Sequence, residues 1–126
     1  QLMNNRGVII AVESNYNRAL SLIDNIHRMG VMNTAVIKMN AADFPETGIK
    51  VDRILLDAPC SCEGVMHKDL SRKATFSPED IVTCSGIQLR LLDSALKSLK
   101  KGGVLVYSTC SMSPEENEMV VQKALD

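Results

Sequence analysis

The sequence has no tryptophan, and only two tyrosines and two phenylalanines among its 126 residues. An aromatic core is therefore excluded, and the interior must come from leucine, isoleucine, valine, methionine and alanine. Hydrophobic residues still make up 45% of the chain, enough to bury the core of one compact domain. No apolar run approaches the roughly 20 residues that span a bilayer. Gln1 to Gly7 lacks the basic flank and the apolar stretch of a signal peptide. An initiator methionine is also missing, and Leu2 and Met3 look like the end of an earlier helix, so the chain reads as a fragment. Neither sign of charge is in excess: 14 basic and 15 acidic residues give a net charge of -1. No blanket field draws nucleic acid, so any RNA contact needs a local patch or parts outside this chain. The four cysteines, Cys60, Cys62, Cys84 and Cys110, contain no Cys-x-x-Cys pair and no secreted disulfide pattern. That argues against a metal site built with His67, and for a reducing, cytoplasmic setting. Repeats and low-complexity tracts are absent.

What is present is an alternation of short apolar runs with amphipathic stretches. Gly7-Val-Ile-Ile-Ala-Val-Glu13 reads as a strand buried on both faces. Ser14 or Asn15 caps a helix carrying Ala19, Leu22, Ile23, Ile26 and Met29 at helical spacing, and Gly30 stops it. Thr34 to Lys38 is a second strand, and Asp43 to Gly48 a turn-rich loop around Pro45. Val51 to Asp57 is a third strand, running into Ala58-Pro59-Cys60. Ser61 to Phe76 is polar and without period, and reads as a loop. Its Lys68, Arg72 and Lys73 are candidates for phosphate contacts. Ser77-Pro78-Glu79-Asp80 opens a helix with a capping serine, proline at the first position and an acidic residue three after the cap. Ile87, Leu91, Ala95 and Leu99 extend its stripe to Lys100, and Lys101-Gly102-Gly103 breaks it. Val104 to Thr109 is a fourth strand, and Ser113-Pro114-Glu115-Glu116 caps the last helix.

This alternation predicts an α/β fold with a mostly parallel sheet. Ligands in such sheets bind outside the carboxyl ends of the strands. Glu13, Asp43, Asp57 with Cys60, and Cys110 all fall at those ends.

Asp57-Ala-Pro-Cys-Ser61 and Tyr107-Ser-Thr-Cys-Ser111, each closing a strand, resemble the two cysteine motifs of the Nop2/Sun family of RNA cytosine-5 methyltransferases. Pro114-Glu-Glu-Asn-Glu118 is similar to the segment that follows the second motif. The resemblance runs from about Ile9 to the end. It implies a class I, Rossmann-like methyltransferase fold with helices on both faces of a seven-stranded sheet, and S-adenosylmethionine as cofactor. It implies that Glu13 holds the ribose hydroxyls, that Arg18 lies at the cofactor, and that Asp43 lies near the adenine. Asp57 falls between cofactor and base, Cys110 matches the nucleophile, and Cys60 matches the cysteine that assists product release. The family's glycine-rich cofactor loop is absent and would lie upstream of Gln1. Cys62 stands where the family often has glycine.

The implied reaction explains why two cysteines are needed. Carbon 5 of cytosine is a poor nucleophile until a thiolate adds to C6 and turns the ring into an enamine. A hydrogen-bonding group, here Asp57, must offset charge at N3 and O2. A second acid/base group, here Cys60, must serve the loss of the C5 proton before the C6–S bond breaks. The base must be unstacked, which favours loops and single strands of tRNA or rRNA. A DNA cytosine-5 methyltransferase with Cys60 as nucleophile is the rival reading among enzymes, and Cys110 argues against it. A catalytically inactive RNA-binding or assembly module is the rival outside enzymes, and the intact Asp57, Cys60 and Cys110 argue against it. In this fold the strands ending at Glu13 and Asp57 flank the first strand. They are therefore expected not to pair directly, and residues 1–126 alone neither to fold stably as a monomer nor to bind the cofactor.

Overall fold

The computed structural model describes residues 2–62, 64 and 76–126. Lys68, Arg72, Lys73 and His67 lie outside the described residues. The chain forms two compact units, Gln1–Phe44 and Pro45–Asp126.

The first unit is one β-α-β element. Strand β1 (Ile9–Glu13) leads into helix α1 (Tyr16–Arg28), and β2 (Thr34–Lys38) returns parallel to β1, with Ile9 opposite Thr34 and Glu13 opposite Lys38. Parallel pairing needs such a crossover, and the helix supplies it. The Asn15 side chain accepts from the Arg18 N–H at 3.1 Å and fixes where α1 begins. The helix ends because Gly30 adopts φ 65°, a left-handed conformation open to glycine. The Gly30 and Val31 N–H groups then return to the His27 and Ile26 carbonyls, both at 3.0 Å.

Three expectations change between Gly7 and Gly48. The run Gly7–Glu13 is not buried on both faces: Ile9 is exposed and Ile10 to Glu13 are half-buried, since one helix on a two-stranded sheet covers one face. Met29 likewise stays exposed at the helix end, and Ala19 is the buried member of the α1 stripe. The predicted loop around Pro45 starts as a 3-10 helix, Ala41–Thr47. Asn40 nucleates it, its side chain accepting from Ala42 N–H at 3.0 Å and its carbonyl from Asp43 N–H at 2.9 Å.

The second unit repeats the theme. Strand β3 (Val51–Asp57) pairs in parallel with β4 (Leu99–Ser108), and α2 (Pro78–Ser98) packs against both. The capping box predicted at Ser77 is present: the Ser77 hydroxyl accepts from Glu79 N–H at 3.2 Å, and Asp80 accepts from Ser77 N–H at 3.2 Å. A 3-10 turn, Pro114–Glu116, precedes α3 (Glu118–Leu125). The strands thus form two parallel pairs, β1-β2 in the first unit and β3-β4 in the second.

Three details differ from expectation. The helix stops at Ser98, and Lys101-Gly102-Gly103 lies inside β4. Gly102 at φ 77° shifts the register between Val51 and Arg53, so the glycines make a bulge instead of ending the helix. A Cβ on Gly103 would stand 2.8 Å from the Leu99 side chain and 2.9 Å from the Asp52 carbonyl, so that position requires glycine. The buried face of α2 is rotated from the predicted stripe: Gln88, Leu92 and Ser98 are buried, while Ile87 is exposed. Ser113 precedes only the 3-10 turn and makes no side-chain capping bond to it, and α3 begins at Glu118, because the Asn117 backbone (φ -120°, ψ -94°) breaks helical geometry between them.

Candidate active site

Both cysteine motifs leave the ends of neighbouring strands. Asp57 and Ser108 are register partners at the ends of β3 and β4, and the Ser108 hydroxyl donates to the Asp57 carboxylate at 3.1 Å. The ladder continues one step, with Ala58 N–H on the Ser108 carbonyl at 2.9 Å. Beyond it the two segments turn toward one another. The Cα atoms of Cys60 and Cys110 are 6.2 Å apart and their sulfurs are in disulfide contact. The Cys110 N–H points at the Cys60 sulfur, 3.2 Å away. Cys60 is half-buried and Cys110 is exposed.

A third thiol joins them. The Cys62 sulfur lies 3.6 Å from that of Cys110 and 4.0 Å from that of Cys60. Cys62 sits at φ 61°, a left-handed conformation that costs a residue with a Cβ of order 1–3 kcal/mol. Gly64 holds this segment in place: its N–H donates to the Cys110 carbonyl at 2.9 Å, and a Cβ there would stand 2.5 Å from the same oxygen.

Sequence reasoning assigned no role to the residues that support these loops. Glu116 is fully buried, and its carboxylate accepts from the Ser61 N–H at 3.0 Å and from the Gln88 side-chain amide at 2.7 Å. Gln88 also donates to the Pro59 carbonyl at 2.9 Å. One carboxylate and one amide thus tie the first cysteine loop to α2 and to the turn after the second. Burial pushes the Glu116 carboxyl up, but hydrogen bonds from Ser61, Ser111 and Gln88 outweigh it and hold it below the usual carboxylate range. The Tyr107 hydroxyl donates to the Glu116 carbonyl at 2.7 Å. Burial, with the Glu116 charge nearby, pushes that phenol up to about 12, so it remains a donor through the physiological range. Asn117 completes the frame: it accepts from the Thr109 hydroxyl at 2.7 Å and donates to the Ser111 and Ser113 carbonyls at 3.1 and 2.8 Å. The motif Pro114-Glu-Glu-Asn-Glu118 was the sequence signal for Glu116 and Asn117, and Gln88 carried none.

The first unit holds the other predicted residues. The Glu13 carboxylate, at the end of β1, accepts from Asn15 N–H and from the Arg18 guanidinium, both at 2.8 Å. The Asn15 N–H first, then Arg18, hold its carboxyl below the ordinary value. Asp43 lies in the 3-10 turn and is exposed.

The family model described as 16S rRNA methyltransferase RsmB/F matches residues 1–126. The chain belongs to this family. Proteins similar to it are named for both RNA classes, rRNA and tRNA. A 28S rRNA (cytosine(4447)-C(5))-methyltransferase of Homo sapiens is 46% identical over 129 residues, covering 99% of this chain and 16% of that protein. A tRNA (cytosine(72)-C(5))-methyltransferase of Pyrococcus horikoshii is 46% identical over 118 residues, covering 94% of this chain and 30% of that protein. Among solved structures, NSun6 from Pyrococcus horikoshii with SFG superposes with a TM-score of 0.92 at 42% identity, covering 99% of this chain and 32% of the other. The chain therefore spans a third or less of these relatives' length. The Nop2/Sun resemblance and the Rossmann-like methyltransferase fold hold.

Proposed function

We propose that the protein carrying this chain is an S-adenosylmethionine-dependent methyltransferase that forms 5-methylcytosine in rRNA or tRNA, and that Cys110, Cys60 and Asp57 carry the chemistry. The observation that supports this reading best is the meeting of the two cysteine motifs at the ends of β3 and β4. Cys110 is exposed and, once a thiol reductant has opened its disulfide contact with Cys60, adds as the thiolate to C6 of the base. Cys60 sits under the Cys110 N–H and assists loss of the C5 proton and release of the product. Asp57, steadied by Ser108, faces the polar edge of the cytosine.

The cofactor residues lie in the first unit. Glu13 fits a ribose diol: it is ionised, it stands at a strand end, and Asn15 and Arg18 fix its direction. Arg18 acts through this ion pair by orienting Glu13, and Asp43 offers a second carboxylate for the adenine. When bound, S-adenosylmethionine supplies the electrophilic methyl group; SFG, held by the similar structure, is an analogue of it. The reaction asks nothing of a metal. An rRNA or tRNA substrate places the protein in the cytoplasm, or in the nucleolus of a eukaryote. Among the described residues no helix is long and apolar enough to cross a membrane. The DNA-methyltransferase and inactive-module alternatives find no support among relatives named as RNA cytosine-5 methyltransferases.

The full-length protein, given S-adenosylmethionine and total rRNA or tRNA, is expected to install 5-methylcytosine at a discrete position. Bisulfite sequencing reads it, and absence of new 5-methylcytosine in both pools would sink the proposal. Glu13→Ala is expected to weaken cofactor binding by about 1–3 kcal/mol, the cost of leaving polar partners unpaired. Calorimetry with S-adenosylmethionine measures this, and an unchanged affinity would remove Glu13 from the ribose site.

A further inference from the structure

We propose that Cys60, Cys62 and Cys110 together form a binding site for one thiophilic divalent ion of the zinc class, which closes the active centre by occupying the nucleophile. The three sulfurs all lie within 4.8 Å of one another. A tetrahedral ion with bonds to sulfur of about 2.3 Å sets its thiolates about 3.8 Å apart. The two edges made by Cys62, 3.6 and 4.0 Å, bracket that spacing. The third edge, between Cys60 and Cys110, is shorter because those sulfurs are in disulfide contact. A dithiol reductant opens it: the reductant is oxidised to its own disulfide, and Cys60 and Cys110 each gain one electron and one proton. Rotation about χ1 then widens the edge. Ion binding replaces the thiol protons with metal–sulfur bonds and releases those protons to solvent.

Three further features fit an ion at this place. Cys62 is held in a left-handed backbone conformation that glycine would adopt more easily, and its sulfur is thereby turned toward the other two. The Cys110 N–H directed at the Cys60 sulfur is a donor of the kind that steadies a metal-bound thiolate. Cys110 is exposed, so an ion can enter from solvent and keep water at its fourth position. Binding is independent of the proposed methyl transfer; only the inhibitory consequence rests on it.

The test titrates the reduced, full-length protein with cadmium and follows the near-ultraviolet sulfur-to-cadmium charge-transfer band, with zinc as competitor. One ion per chain is expected. Losing even an outer partner of a metal site costs about 10–100-fold in affinity, so losing a direct ligand in Cys62→Ser should cost at least about tenfold. Cys62→Gly relieves the backbone and should show the same loss, which separates a lost ligand from a disturbed fold. Cys84→Ser should change nothing. Zinc should inhibit methyl transfer by wild type, with the inhibition curve moved to higher zinc in both Cys62 variants. No band, a band unchanged in the Cys62 variants, or a band lost in Cys84→Ser overturns the proposal. Methyl transfer measured without zinc reports on the catalytic reading separately.

Discussion

Cys110→Ala is expected to lower methyl transfer by about four orders of magnitude or more, the scale seen when a covalent nucleophile is removed. No protein–RNA adduct should form, even on RNA containing 5-fluorocytidine. That base traps the adduct in a competent enzyme, because fluorine at C5 cannot leave as the proton does. Cys60→Ala should behave in the opposite way. Attack and methylation survive while release fails, so a covalent complex should accumulate on ordinary RNA and resist denaturing gel electrophoresis. The asymmetry follows from placement: Cys110 is open to solvent, whereas Cys60 is half-buried beneath the Cys110 amide. If instead the adduct persists in Cys110→Ala and vanishes in Cys60→Ala, the two roles are reversed.

Glu116→Ala should be the most damaging change outside the reacting groups. It strips the Ser61 N–H and the Gln88 amide of a buried acceptor. Each orphaned donor costs about 1–3 kcal/mol, so a loss of about 2–6 kcal/mol in stability is expected by denaturant unfolding. Glu116→Gln keeps the volume and one acceptor oxygen, but turns an N–H₂ toward donors, and should lie between. Glu116 touches no reacting atom in the proposed chemistry and acts by positioning the Cys60 loop. The split in kinetics should therefore fall on kcat more than on KM for RNA. The pH dependence has a definite sign. The folded-state carboxyl titrates below its ordinary value, so its contribution is full above that value and fades as acid protonates the folded form. Wild type should lose stability on moving from neutral pH toward pH values below about 4.5, and Glu116→Gln should lose less. Equal acid sensitivity in both would show that Glu116 does not carry this term.

The order of strands and helices was legible because the strands carry short apolar runs, and α1 and α2 each open on a capping residue. Ser77-Pro78-Glu79-Asp80 located α2 to the residue. The cysteine pair was legible because both motifs end strands, and neighbouring parallel strands bring their ends together. The Lys101-Gly102-Gly103 bulge was not legible, since glycine marks a helix stop and a strand bulge alike. The buried face of α2 was missed for a similar reason. Hydrophobic spacing favours Ile87, whereas the fold buries Gln88 to satisfy Glu116, a partner 28 residues away. A pairing of two polar groups at that distance leaves no trace in local periodicity.

The adjacency of β3 and β4 also bears on how such a protein can diverge. Cys60 and Cys110 are 50 residues apart in sequence, yet their separation is set by one rung of a parallel ladder. Insertions or deletions in the polar sequence beyond Gly64 need not move either sulfur, because the pairing of Asp57 with Ser108 fixes both strand ends. Selection on the two sulfurs can thus act on a handful of positions at two strand ends.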